Sequence, residues 1–428
     1  MPEPYITEQA PTRVAVVHPV LPLGKEADDM PSASFRDAET ALEEAVNLCQ
    51  ALPIQVVSGE IVNLREISPH TLLGKGKVAE LREKFAELEV ELVVINTRLQ
   101  PSQQRSLEVG LKTKVIDRTG LILEIFGERA RTHAGRLQVQ LAQLQYQSSR
   151  LVRTWTHLER QRGGLGKTGG PGERQIELDR RMIRDQIDKI KQELAEVEKT
   201  RALHRKGRIK SDLPVVALVG YTNAGKSTLF NKLAGSEAFV KDMLFATLDP
   251  LMRKVRLKSG REVILSDTVG FVSHLPHELV QAFHATLEEV LMADLLLHVQ
   301  DAANPDRPAQ EKDVHQVLAS IGAEKLPMID IYNKQDVKDA EKPAKNAVGV
   351  SAQTGKGIEN VHEAVEAFFA AKEEVYSFNV PATDGKKIAW LHAHGDVRDM
   401  ELGDNEVYKI DVLLSQENAE LFKSYFQS

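Results

Sequence analysis

Apolar and polar positions along the chain fall into four successive patterns. Over residues 1–126, buried-strand runs alternate with amphipathic helices. RVAVVHPV and ELVVINTRL read as strands, ASFRDAETALEEAVNLC and GKVAELREKFAELE as helices. Pro101 and Ser102 open another helix, and VIDRTGLILEIF is expected to close the region as a strand. An α/β layer follows from that alternation.

From residue 127 to 210 the period changes. Leu137, Leu141, Leu144, Ser148, Leu151 and Trp155 recur at steps of four and three, as do Ile183, Ile187, Ile190, Leu194 and Val197. A mean step of about 3.5 residues belongs to long helices packed along a seam. The two stripes predict an antiparallel hairpin whose glycine-rich tip lies at residues 162–172, with HRKGRIKSDLP as the linker after it. Two stripes in one chain pair most simply with each other, which predicts a monomer. Residues 213–372 return to apolar runs between helices (VVALVG, EVILSDTVG, ADLLLHVQDA, PMIDIYNKQD, AVGVSAQTG), the pattern of a doubly wound, mostly parallel sheet. Residues 376–428 alternate through KKIAWLHAHG and VYKIDVLL before a final helix, so a small α+β domain is expected there. The predicted class is α/β, with the doubly wound domain third of four units.

A chain of 428 residues exceeds what one core organises. A single cysteine, Cys49, excludes an intrachain disulfide framework and a cysteine-based zinc site, and suits a reducing compartment. The opening MPEPYITEQAP has neither the basic start nor the apolar core of a signal peptide. No apolar run approaches the roughly 20 residues that span a bilayer. A soluble, cytoplasmic protein without a membrane partner is expected. The net charge of −7 argues against a polyanion partner, but residues 129–210 carry 20 Lys/Arg against 9 Asp/Glu. A polyanion feels the nearby patch rather than the total.

Residues 220–227, GYTNAGKS, fit G-x-x-x-x-G-K-[ST] at every fixed position, between the strand VVALV and the helix TLFNKLAG. Gly220, Tyr221, Thr222, Asn223, Ala224 and Gly225 would turn backbone N–H groups around phosphates. Lys226 would meet the β/γ oxygens and Ser227 a Mg²⁺ ion, with Thr228 continuing the helix. In NKQD, Asp336 can accept from both N1–H and the 2-amino group of guanine, donors that adenine lacks. Asn333 and Lys334 would brace the loop and cover the base. One strand later Ser351, Ala352 and Gln353 bring a backbone N–H to guanine O6. In DTVG (Asp267, Thr268, Val269, Gly270) the carboxylate can hold Mg²⁺ through water and the Gly270 N–H can bond the γ-phosphate. FATLD (Phe245, Ala246, Thr247, Leu248, Asp249) offers Thr247 as a second hydroxyl for Mg²⁺. Lys226, Thr247 and Gly270 are thus the groups expected at the reacting phosphate.

Other glycine-rich stretches do less. LLGKGKVAEL places Gly74 and Gly76 before a helix, as an anion site or a plain tight turn would. The tip loop contains Gly-Lys-Thr, but Gln161 stands where the first glycine should be and no strand precedes it. His392 and His394 alternate on an expected strand face with no third ligand, so packing is favoured over a metal site.

In this order the motifs resemble the HflX family of translation-factor-related, ribosome-associated GTPases. The resemblance rests on GYTNAGKSTLFN, FATLDP, DTVGFVSHLPHELV, SAQTGKGI and, outside the GTPase region, THLERQRGGLGKTGGPGE. It implies Mg²⁺-dependent hydrolysis of GTP to GDP and phosphate, binding to the large ribosomal subunit and, at least in some members, dissociation or rescue of stalled or idle ribosomes. The tip residues Arg160, Arg162, Gly163, Gly164, Lys167 and Arg174 then become contacts to ribosomal RNA, with a solvated loop as the alternative. Glycines permit close approach, and arginines pair with phosphates and stack on bases. Phe271 stands where many small GTPases place a water-orienting glutamine. Either it packs while His274 or His277 positions water, or a partner orders the site; slow turnover stimulated by ribosomes is expected. A GTP-gated protein-binding module with hydrolysis as a timer is the second reading. An RNA-remodelling ATPase is disfavoured by the lack of a second phosphate loop.

Overall fold

The computed structural model describes residues 11–20, 37–130, 132–153, 171–209, 213–235, 251–268, 270–271, 290–403 and 406–426. In strand β1 (Thr12–Val20), Val14, Ala15, Val16 and Val17 are all fully buried. Side chains alternate across a strand, so an unbroken buried run requires cover on both faces. Helices α1 (Ala38–Gln50), α2 (Lys75–Glu87), α3 (Pro101–Leu111), α4 (Arg118–Arg129) and α5 (His133–Arg153) supply it. Val14 and Val16 pack among Leu48, Cys49, Phe126 and Val139 of α1, α4 and α5. Ala15 and Val17 pack among Leu81, Phe85, Leu107 and Leu111 of α2 and α3. With β2 (Ile54–Asn63), β3 (Leu92–Ile95) and β4 (Lys114–Asp117) this makes a parallel sheet in the order β2-β1-β3-β4.

The strand expected over VIDRTGLILEIF is in fact two elements. β4 stops at Asp117, whose carboxylate accepts from the Gly120 N–H at 2.9 Å and caps α4. Leu121, Ile122, Leu123, Ile125 and Phe126 of α4 are all buried. Only Glu124, Gly127 and Glu128 of α4 are exposed; a helix so largely enclosed shows little polar face, so its apolar run imitates a strand.

The two predicted helices do form a pair. α6 (Pro171–Ile209) lies against α5, with Ile183, Ile187, Ile190, Leu194 and Val197 half-buried along its length. At 39 residues α6 runs about 60 Å. The tip residues 154–170, with Trp155, Arg160, Arg162, Gly163, Gly164 and Lys167, lie outside the described residues, as does the side chain of Arg174.

The second sheet comprises β5 (Val215–Val219), β6 (Leu251–Arg256), β7 (Glu262–Asp267), β8 (Leu295–Asp301), β9 (Met328–Asn333) and β10 (Val348–Gly349). Its order is β10-β9-β8-β5-β7-β6, parallel except for β6 against β7. The same two-sided logic applies to β5. Val216 and Leu218 face helices α7 (Lys226–Leu233) and α9 (Ile358–Ala370) on one side, while Ala217 and Val219 face α8 (Arg307–Ser320) on the other.

The last unit is an antiparallel sheet, ordered β11-β13-β12, of β11 (Glu373–Pro381), β12 (Asp396–Gly403) and β13 (Val407–Ser415). KKIAWLHAHG is not one of its strands but helix α10 (Gly385–His394), N-capped by Asp384, which accepts from the Lys387 N–H. It covers the sheet together with α11 (Gln416–Phe426). Residues two apart on a helix point about 200° apart, so His392 and His394 share no face. His394 instead stacks on Trp390 at 4.1 Å. Among the described residues no helix is long and apolar enough to cross a membrane.

Candidate nucleotide site at the strand ends

Gly220 follows β5, Asp267 ends β7, Asn333 ends β9 and Ser351 lies two residues past β10. All four sit at carboxyl ends of parallel strands, where an open α/β sheet presents its crevice. At two positions the loop from 220 to 225 is held too close to its neighbours for a side chain. Gly220 has φ +149 and its missing Cβ would strike the Val299 carbonyl; Gly225 has φ +89 and would strike the Asn333 amide. Glycine alone fits both positions. α7 then begins at Lys226, with its first-turn N–H groups towards the loop.

Lys226 is buried, and its Nζ donates to the carbonyls of Gly220 at 3.0 Å and Tyr221 at 2.8 Å. Burial pushes its ammonium down to about 8, against the opposing pull of the Asp267 carboxylate. The Ser227 hydroxyl donates to Asp267 Oδ2 at 2.7 Å. Thr268 spends its hydroxyl on the Leu218 carbonyl at 2.5 Å, fixing the end of β7 against β5. Gly270 lies beside Thr222 and Lys226: a Cβ there would come within 3.0 Å of Lys226 Nζ.

Phe271 is 1% exposed and packs with Tyr221, Val290 and Ala293. Its backbone forms a parallel bridge with Tyr221: Thr222 N–H donates to Phe271 O at 2.7 Å and Phe271 N–H to Gly220 O at 3.1 Å. Its ring is therefore a packing element. Residues 245–249, Val269, His274 and His277 lie outside the described residues, so Thr247 is not placed.

On the base side, Asn333 joins two loops. Its Nδ2 donates to Ala224 O at 2.8 Å and its Oδ1 accepts from the Ala352 N–H at 2.9 Å. Lys334 pairs with Asp301 at 2.7 Å. Asp336 and Gln353 are exposed, while Ser351 and Ala352 are buried, with Ser351 Oγ accepting from the Thr354 N–H at 3.1 Å. Elsewhere, Gly74 caps α2 with no contact crowding it. Sequence reasoning missed Glu44 on α1, which accepts from the Tyr221 hydroxyl at 2.8 Å across 177 residues of chain. A pair so distant leaves no local signal.

Comparison with known proteins agrees with this geometry. Residues 215–334 match a family model described as 50S ribosome-binding GTPase, residues 39–127 one described as GTP-binding GTPase N-terminal, and residues 129–208 one described as GTP-binding GTPase Middle Region. The chain is 46% identical over 406 residues to the GTPase HflX of Magnetococcus marinus, covering 93% of this chain and 92% of that one. It is 44% identical over 352 residues to the GTPase HflX of Escherichia coli, covering 80% and 82%. A solved GTP-binding protein from Sulfolobus solfataricus in complex with GDP aligns over 83% of this chain and 98% of that one, at 21% identity and TM-score 0.43. On its 46% and 44% identity to the two HflX GTPases and its match to the family models, the chain belongs to the HflX GTPase family and carries a 50S ribosome-binding GTPase domain.

Proposed function

We propose that this GTPase acts in the cytoplasm as a monomer, docking its basic two-helix arm on ribosomal RNA of the large subunit in the GTP state and dissociating or rescuing stalled or idle ribosomes. The observation that carries the reading is the union, in one chain, of a strand-end site suited to phosphates and a long arm region with 20 Lys/Arg against 9 Asp/Glu. The family model's description adds the partner. Arg160, Arg162, Gly163, Gly164, Lys167 and Arg174 would contact the RNA backbone.

In this reading residues 220–228 wrap the phosphates, Asp336 reads the guanine edge and the 351–353 loop meets O6. Ser227 and Asp267 are hard oxygen donors 2.7 Å apart, the type Mg²⁺ takes, so they fit the ion, with Thr247 as the further ligand. The ion, when bound, supplies charge neutralisation on the β and γ oxygens. Lys226 exchanges its loop carbonyls for phosphate oxygens, and the Gly270 N–H holds the γ group. Phe271 offers the attacking water nothing, so turnover is slow until the ribosome completes the site. Hydrolysis measured with and without large subunits tests this: stimulation of about tenfold or more is expected, and an unchanged rate contradicts it.

A further inference from the structure

The phosphate loop is tied to the N-terminal unit through one carboxylate oxygen. Glu44 Oε1 accepts from the Tyr221 hydroxyl at 2.8 Å and from Arg118 Nη2 at 2.6 Å. Arg118 is itself held, its Nη1 donating to Asn96 Oδ1 at 2.7 Å at the end of β3. Asn96 in turn bonds the Ala41 carbonyl of α1 at 3.0 Å. Glu44 is thus presented to Tyr221 from a fixed frame, and a charged acceptor makes the stronger class of hydrogen bond.

What Tyr221 does in the loop gives the contact its consequence. The residues on either side of it, Gly220 and Thr222, carry the two backbone bonds to Phe271, next to Gly270. Its own carbonyl accepts from Lys226 Nζ at 2.8 Å. A shift of Tyr221 therefore moves the lysine's acceptor and the start of the segment after Asp267 together. We propose that Glu44 is a positioning residue for GTP hydrolysis, acting through the Tyr221 hydroxyl to hold the phosphate loop and the Gly270–Phe271 backbone in register. The inference rests on residues 220–227 being the phosphate loop.

The same corner anchors the arm. Asp117, the neighbour of Arg118, accepts from Tyr146 Oη at 2.6 Å and from Arg150 Nη2 at 2.7 Å, both on α5. Glu44 thereby sits where the base of the arm and the nucleotide loop meet.

The test uses the full chain and measures kcat and KM for GTP, affinity for fluorescent GDP, and the melting temperature. The variants are Glu44→Ala, Glu44→Gln, Tyr221→Phe, the Glu44→Ala/Tyr221→Phe double and Lys226→Ala, with Glu43→Gln on the exposed side of α1 as control. Glu44→Ala is expected to lower kcat/KM about tenfold, the scale of one charge-assisted bond. The double variant should lose no more than either single one, because one bond is removed twice. Glu44→Gln keeps an acceptor oxygen and should recover part of the loss; a merely structural role would move the melting temperature without this pattern. Wild-type kinetics in Glu44→Ala, or additive losses in the double variant, overturn the inference. Should Glu44→Ala fail to fold, Tyr221→Phe and Glu44→Gln carry the comparison, since both keep the packing. Lys226→Ala separates the two levels. If it retains wild-type GDP affinity the loop assignment itself falls; if it loses affinity while Glu44 and Tyr221 variants behave as wild type, only this inference does.

Discussion

Asn333 and Ala224 are 109 residues apart in sequence and joined by a 2.8 Å bond from the asparagine amide to the loop carbonyl. The same side chain accepts from Ala352 N–H, so one buried amide fixes the 220–225 loop against the loop after β10. Removing it strands a buried carbonyl and a buried N–H, each costing about 1–3 kcal/mol. Asn333→Ala should weaken GDP and GTP binding alike by at least about tenfold, measured by fluorescent-nucleotide titration. Unchanged affinity would remove the brace from the account.

Asp336 is exposed at the crevice and offers two acceptor oxygens. An asparagine there presents one acceptor and one donor. Guanine would lose a bond to its 2-amino group, whereas xanthine, with a carbonyl at that carbon, would gain one. Asp336→Asn should therefore lose about a hundredfold or more in GTP affinity and acquire binding of xanthosine triphosphate, on the scale seen when a site's polar reading is reversed. Competition between the two nucleotides measures it. A variant that still prefers GTP would place the base elsewhere.

Burial pushes the Lys226 ammonium down to about 8, against the raising pull of the Asp267 carboxylate. Its folded value lies below the ordinary lysine range, so the free fold is penalised while the lysine is charged, and that penalty fades as pH rises above 8. Phosphates would raise the value again. Nucleotide binding near pH 8 should take up about half a proton, because the free lysine is about half charged there, and affinity should fall as pH rises from 8 towards 10. Calorimetry in buffers of different ionisation enthalpy reads the proton count. Zero uptake at pH 8 would mean that no anion meets this ammonium.

Arg160 and Arg162 are proposed to sit on RNA phosphates. Their replacement by alanine should weaken binding to large subunits while leaving nucleotide affinity unchanged. The slope of log affinity against log salt should flatten by about 0.7–0.9 for each phosphate no longer neutralised. A steep, unaltered slope would take these residues out of the interface.

The candidate nucleotide site is legible in the sequence because its motif is local. Gly220, Gly225, Lys226 and Ser227 lie within eight residues, and Asp267, Asn333 and Ser351 each stand at or just past the end of an apolar strand run. The helix pair is legible for a similar reason: Ile183 to Val197 repeat at a fixed step, and one face must be covered. The misread elements share another cause. The first six residues of α4 are all buried, so Leu121–Leu123 give no periodicity to separate helix from strand. In α10 the burial falls on Leu391, while the eye follows the polar–apolar alternation of Trp390 to His394. β2 and β6 carry no clear strand pattern; Ile54–Asn63 is only partly buried at a sheet edge, and Leu251–Arg256 is largely exposed. Glu44 is invisible in the sequence because its meaning arises only when two sheets are brought together.

The central claim is that the guanine nucleotide governs the grip of the arm on ribosomal RNA. Co-sedimentation with isolated large subunits at moderate salt, comparing GDP, a non-hydrolysable GTP analogue and no nucleotide, tests it most directly. The account predicts firm binding with the analogue and binding weaker by about tenfold or more with GDP, the lower range of an ordinary coupling free energy. Equal affinity in all three states would contradict it.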